Sequence, residues 1–245
     1  KSIKASYLQK FISKIISRNA FKICPVSNQL KDGMESFGLK GNYSVIGNVV
    51  DTQIFKPSNN YKISYTIVHV SSLNDHQKNI TGMLNTAKEL ESEISNLTWK
   101  FVGGKQDKYL SYIKQLDFKS TNIEFINHVS QEELVIQLQL SDICVSFSNY
   151  ETFGIVMTEA IASGTYVIST DTGILNEIEP QNYFTIIKRN DVDGLKNAII
   201  DYYSSKKIIN PDEMYSYINK NFSIKVVNKR ADLYKIKFKN FIITS

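Results

Sequence analysis

From Tyr61 to Ser205 of this 245-residue chain, short apolar runs alternate with longer stretches in which apolar residues recur every three to four positions. Unbroken apolar runs suit strands buried on both faces, and the longer period suits helices that cover them. The pattern predicts strands at Ser64–Val70, Thr98–Val102, Ile123–Ile126, Asp142–Phe147, Thr165–Ser169 and Tyr183–Ile186. Between them it predicts helices at Asn79–Ser95, Lys105–Gln115, Gln131–Leu140, Gly154–Ala162 and Asp191–Ser205. Two further helices, Pro211–Lys220 and Ser223–Asn240, follow with no strand between them. The implied fold class is α/β, a doubly wound parallel sheet with helices on both faces. Residues 1–48 break the alternation: a helix-like Ala5–Ile16, a strand Phe21–Val26, a short helix ending at Phe37 and a strand Tyr43–Ile46 read as the tail of another domain.

The densest chemistry lies in Tyr150–Ala160, where Glu151 and Glu159 flank Gly154 at a strand–loop–helix transition. A helix entered from the carboxyl end of a strand presents unpaired N–H groups and a positive dipole end, a favourable place for anions. As helix positions the two carboxylates would stand about 12 Å apart along the axis, too far for an acid/base pair. They suit hydroxyls at two ends of one elongated ligand. The competing reading of each, a solvent-facing Glu and a glycine that marks a helix start, is the commoner fate of such residues.

Further segments accompany this stretch in a recognisable order: Asn48-Val49-Val50-Asp51 with Phe55-Lys56-Pro57, Lys78-Asn79, Val102-Gly103-Gly104, and Thr170-Asp171-Thr172-Gly173-Ile174-Leu175-Asn176-Glu177. With them, from about Phe21 to Tyr203, the chain resembles the retaining glycosyltransferases of family 4, which have the GT-B architecture. The resemblance implies a Rossmann-like donor-binding domain at 61–205, an interdomain linker at 49–60, the end of an N-terminal Rossmann-like domain at 1–48 and C-terminal helices at 206–245. It also implies that most of the N-terminal domain, with most of the acceptor pocket, is missing from this chain, which would leave the isolated chain inactive.

Transfer of a sugar from a nucleoside-diphosphate donor requires fixed positive charge at the departing diphosphate. By resemblance Lys78 and Glu151 are the catalytic candidates, Lys78 beside a helix start at the phosphates and Glu151 orienting donor-sugar hydroxyls. Glu159 would accept the ribose hydroxyls as an ionised carboxylate. Val129, after His128, would meet the base through its backbone, and Phe153, Gly154, Ile155 and Val156 would offer N–H groups to the phosphates. One position departs from the family: Ser71-Ser72-Leu73 stands where an arginine is common, so Ser72 offers a hydroxyl in place of a two-pronged guanidinium. Compensation is expected from the N–H groups of Phe153–Val156 or from His76; loss of catalysis, leaving a nucleotide-binding or assembly module, is the alternative. Glu177 reads as structural.

Other motifs carry less. Asp191-Val192-Asp193 precedes a helical run and reads as a helix cap before a metal site. His69, His76 and His128 have no paired ligand spacing, Gly103-Gly104-Lys105 lacks the frame of a phosphate-binding P-loop, and no Gly-x-Gly-x-x-Gly follows a strand. No cofactor and no metal is therefore expected, and the donor itself is a substrate. Cys24 and Cys144 sit in apolar runs that predict buried free thiols.

The net charge of +5 is concentrated near the C-terminus, at Lys225, Lys229, Arg230, Lys235, Lys237 and Lys239. A solvated helix face explains such a cluster, and contact with anionic lipid would use it as well. No aromatic platform or recognition helix accompanies it, so no nucleic acid is expected as a partner. No apolar run reaches bilayer-spanning length, which predicts a cytoplasmic protein, by resemblance at the inner face of a membrane and acting on a saccharide or lipid-linked acceptor.

Overall fold

The computed structural model describes residues 7–58, 65–104, 107–205 and 209–232. Six strands, β1 (Thr66–Ser71), β2 (Thr98–Gly103), β3 (Asn122–Ile126), β4 (Ile143–Ser146), β5 (Tyr166–Thr170) and β6 (Phe184–Ile187), form one parallel sheet in the order β3-β2-β1-β4-β5-β6. Order reverses between β1 and β4, the topological switch point at which open α/β sheets receive ligands at their carboxyl edge. Each of the six strands predicted between Tyr61 and Ser205 forms, displaced by no more than two residues at an end.

Alternation within each strand divides the core in two. Ile67, Ile143, Val145, Tyr166 and Ile168 pack on one face beneath α4 (Ile80–Leu90), α5 (Asp107–Leu116) and α8 (Val192–Ser204). Val68, Cys144 and Val167 face the other way, beneath α6 (Gln131–Gln139), α7 (Ile155–Ala162) and α9 (Pro211–Phe222). Trp99, Phe101 and Phe125 stack along the first face, each 5.1–6.1 Å from the next. Gly103 ends β2 at φ +126°, where a Cβ would lie 2.0 Å from the Ser71 carbonyl oxygen, so the close approach of the β1 and β2 ends requires glycine.

Four local expectations need correction. The helix predicted over Asn79–Ser95 ends at Leu90, because the Glu91 carboxylate turns away to accept the N–H groups of Lys119, Ser120 and Thr121 at 2.7–2.8 Å. A one-turn helix, α3 (Asp75–Lys78), precedes it, and Asn79 at φ +51° divides the two. Lys78 therefore ends a helix; it does not open one.

The N-terminal strands reduce to one parallel bridge, Ile23 with Tyr43, since two short segments without further neighbours cannot sustain a ladder. With no layer over that bridge, Cys24 is exposed, against the expectation of a buried thiol; Cys144 is buried. In this region α1 (Tyr7–Asn19) carries Tyr7, Leu8, Phe11, Ile12, Ile15 and Ile16 as one exposed apolar stripe, and α2 (Asn28–Ser36) docks by its start onto the segment after β5. Val50 and Phe55 are fully buried in the α7/α9 core, and Val50 bridges to Ser223. Residues 224–232 are helical; Lys235, Lys237 and Lys239 lie outside the described residues.

Candidate functional site

At the switch point a cavity of about 570 Å³, counting its open mouth, is lined from three directions. The end of β1 contributes His69 and Val70, β4 contributes Cys144, Val145 and Ser146, and the start of α7 contributes Gly154, Ile155, Val156 and Met157. Lys78, Glu151, Thr152, Phe153 and Asn48 complete it.

The α7 start differs from its neighbours. Side-chain oxygens of Ser27, Asn79, Ser130, Asp191 and Asn210 cap α2, α4, α6, α8 and α9, but α7 begins at Gly154 with no side-chain cap. Its first N–H groups and dipole end therefore remain available to an anion in the cavity. Gly154 has φ +78°, and a Cβ there would lie 2.0 Å from Met157 Cε, so the turn that leaves the helix uncapped also demands glycine.

Lys78 reaches the cavity from the end of α3, but it is paired. Its Nζ lies 2.5 Å from Glu151 Oε1, and the same oxygen accepts the Ser148 hydroxyl at 2.7 Å. The wall carrying these groups is cross-braced: Asn149 N–H donates to the Gln77 carbonyl, and Thr170 Oγ1 to the Ser148 carbonyl. The ammonium and carboxylate expected at two parts of the donor thus share one bond in the free protein.

Sequence reasoning set His69 aside for want of metal-ligand spacing. The structure places it, 2% exposed, in the cavity wall. Nδ1 lies 2.8 Å from the Val145 carbonyl, which can only accept, so Nδ1 carries the proton and Nε2 accepts from Ser71 Oγ at 2.8 Å. Ser71 Oγ in turn accepts the Leu73 N–H at 2.9 Å, fixing the loop after β1. Burial, and secondarily the Lys78 charge, hold the imidazole pKa down at about 4 against the opposing Val145 hydrogen bond, so His69 is neutral at physiological pH. Its place at the carboxyl end of a strand was the available signal.

Of the predicted residues, Lys78, Glu151, Phe153, Gly154, Ile155 and Val156 line this cavity together. Glu159 lies one turn further along α7, about 6 Å down the helix from Ile155. It is 8% exposed, and no hydrogen bond or ion pair among the described residues engages its carboxylate. Burial raises its pKa to about 7, so it is not the permanently ionised group the sequence suggested. Its charge reaches Cys144 in the cavity wall, and burial with that charge pushes the thiol up to about 12. Ser72 and Val129 are not part of the lining: Ser72 is exposed in the loop after β1, and Val129 packs half-buried against the α7 core. His76 lies outside this lining too, edge-on to Tyr150 beside a second, shallower cavity.

Two further assignments resolve. Asp191 caps α8 through the Gly194 N–H, as the helix-cap reading of the Asp-x-Asp stretch requires. Among the described residues no group of three His, Cys, Asp or Glu side chains could hold a metal. Glu177, read as structural, has a definite partner: its carboxylate accepts the N–H groups of Asn28 and Gln29 and the Asn28 side-chain amide at 2.6–2.9 Å. Gln29 Oε1 accepts the Gly173 N–H, and Ser27 Oγ donates to the Thr152 carbonyl.

Comparison with known proteins agrees with this architecture. Sucrose-phosphate synthase from Thermosynechococcus elongatus superposes with a TM-score of 0.82 at 18% identity, over 96% of this chain and 63% of that one. Anabaena HepE, solved with UDP and glucose, gives 0.79 at 17% identity over 95% and 68%. In sequence the chain is 27% identical over 193 residues to a phosphatidylinositol N-acetylglucosaminyltransferase component of Arabidopsis thaliana, covering 77% of this chain and 42% of that protein. It is 26% identical over 225 residues to an uncharacterized 42.6 kDa protein in the cps region of Klebsiella pneumoniae, covering 86% and 55%. The chain thus spans about half the length of these curated relatives. With the profile of glycosyl transferases group 1 matching residues 50–222, most of the chain including the cavity-lining residues from His69 to Met157, this protein belongs to the group 1 glycosyltransferases.

Proposed function

We propose that the chain is the donor-binding part of a retaining, metal-independent family 4 glycosyltransferase that moves a sugar from a nucleoside-diphosphate donor to a saccharide or lipid-linked acceptor. The observation that carries this reading is convergence: the ammonium of Lys78 and the uncapped start of α7 face one cavity at the switch point, with Glu151 in its wall. An anionic leaving group in that cavity meets N–H dipoles that need no reorganisation, which is how diphosphate departure is stabilised. Glu151 Oε2 is left to orient a sugar hydroxyl, and Glu159 lies further down α7 for the ribose. HepE, a relative in fold, was solved with UDP and glucose, which supports a nucleotide-sugar partner here.

Residues 1–48 are proposed to end an N-terminal Rossmann-like domain that supplies the acceptor side. The exposed apolar stripe of α1 supports this, because such a face needs a cover. The cations Lys220, Lys225, Lys229 and Arg230 surround one surface cavity near the C-terminus and support contact with the anionic inner face of a membrane, hence a cytoplasmic enzyme. Among the described residues no helix is long and apolar enough to cross a bilayer.

A second reading, a nucleotide-binding module without turnover, is favoured by one feature: Ser72 replaces the arginine, and Lys78 is the one lysine or arginine in the cavity lining. Two measurements separate the readings. Thermal shift with UDP, GDP, ADP and NAD should show stabilisation by a nucleoside diphosphate, about 2.7 kcal/mol at a hundred times Kd; stabilisation by NAD alone refutes the glycosyltransferase reading. Sugar transfer by the complete protein should fall about a hundredfold or more in Lys78→Ala, whereas a module shows no transfer in either form.

A further inference from the structure

The free site does not present an open cation to its ligand. Lys78 is held by Glu151 Oε1, which Ser148 also engages, while no bond among the described residues uses Oε2. The two side chains are 15% and 10% exposed, so solvent and salt screen them weakly. No second lysine or arginine lines the cavity, and His69 is neutral there. A diphosphate therefore approaches the one ammonium of this lining past a carboxylate of like sign, and must take that ammonium from an existing pair.

We infer that Glu151 sets the specificity of the site for the sugar-bearing donor against the bare nucleoside diphosphate. It opposes both ligands through its competition for Lys78, and it offsets that opposition only when a sugar hydroxyl donates to Oε2. The consequence is that the nucleotide, once its sugar has left, is held less well than the donor and departs. The inference rests on the donor-site reading of the cavity, and takes it further by giving one residue two opposed effects.

The test is a double-mutant cycle read by titration calorimetry, using UDP, GDP and ADP and their glucose esters as probes on the wild type, Glu151→Gln, Lys78→Ala and the double variant. Glu151→Gln should bind the nucleoside diphosphate tighter, on the order of tenfold for groups in direct contact, while its preference for the glucose ester falls. In the Lys78→Ala background the same substitution should gain clearly less, because the competition is gone and only the repulsion between like charges is relieved. Glu151→Ala provides the comparison if the Gln form folds poorly. Nucleoside diphosphate binding by the wild type with no gain on substitution overturns the inference and leaves the donor-site reading standing, as does a gain that is undiminished without Lys78. Failure of every form to bind any probe overturns both.

Discussion

Glu159 shows how burial sets chemistry one side chain at a time. Its carboxylate is buried in the wall of α7 with no donor among the described residues, and desolvation alone lifts its pKa to about 7. The folded value is raised above the unfolded one, so this group's contribution is most favourable below about pH 4.5 and is lost as pH rises through about 7. Glu159→Gln should therefore match the wild type in urea denaturation near pH 4.5 and exceed it at pH 8, by on the order of 3 kcal/mol. Ribose hydroxyls that donate to the ionised form would release the proton, so nucleotide affinity should rise with pH through 7 in the wild type. The Gln variant should bind weakly and show only the ligand's own titration. A stability gap that does not change with pH would show that the carboxylate is solvated and not desolvated.

Glu91 works at the level of elements. It stops α4 and ties it to the segment entering β3, accepting three backbone N–H groups with one oxygen and Lys88 Nζ at 2.6 Å with the other. Burial works to raise its pKa, yet the Lys88 bond and the three N–H donors outweigh burial and hold it at about 2. A depressed folded pKa gives stability that is present above the unfolded value and lost as pH falls through about 2. Glu91→Gln should cost about 1–2 kcal/mol at pH 7 once solvent screening is allowed for, with the cost shrinking in thermal melts between pH 4.5 and 2.

The sequence could not reveal this stop. Apolar periodicity continues past Leu90 to Ile94, and the signal against it is a loop nearly 30 positions away. The central strands β1, β4 and β5 were legible because both faces are buried, and the others because their short runs are rich in β-branched and aromatic residues. The helix α3 was not, since four residues carry no period. At the site, Gly154 and the two carboxylates declared themselves by spacing, whereas the Lys78–Glu151 bond joins positions 73 residues apart and appears only once the wall has folded. Family position pointed to Ser72 and Val129, and neither lies in the cavity lining.

Across the whole molecule, the N-terminal segment and the site are joined through Glu177. The carboxylate sits at the first turn of α2, where the positive dipole end adds to three hydrogen bonds. The same helix start reaches Gly173 through Gln29 and Thr152 through Ser27, and Thr152 lines the cavity between Glu151 and Phe153. An alteration in how α2 sits is thereby passed to the loop that holds the cavity's carboxylate. Glu177→Ala removes the acceptor for two backbone N–H groups at once, at a cost of about 1–2 kcal/mol for partly exposed charged bonds. That cost falls on the docking and not on the sheet, since β1 through β6 make no use of Glu177. Hydrogen exchange should therefore speed up at the amides of Asn28 and Gln29, along α2 and at Gly173, with the six strands protected as in the wild type. Nucleoside diphosphate affinity should fall only modestly, because Lys78 and the α7 start remain in place. Uniform loss of protection across the sheet would mean that Glu177 supports the sheet itself, and unchanged exchange along α2 would mean that the apolar contacts of residues 23–48 hold the segment without it.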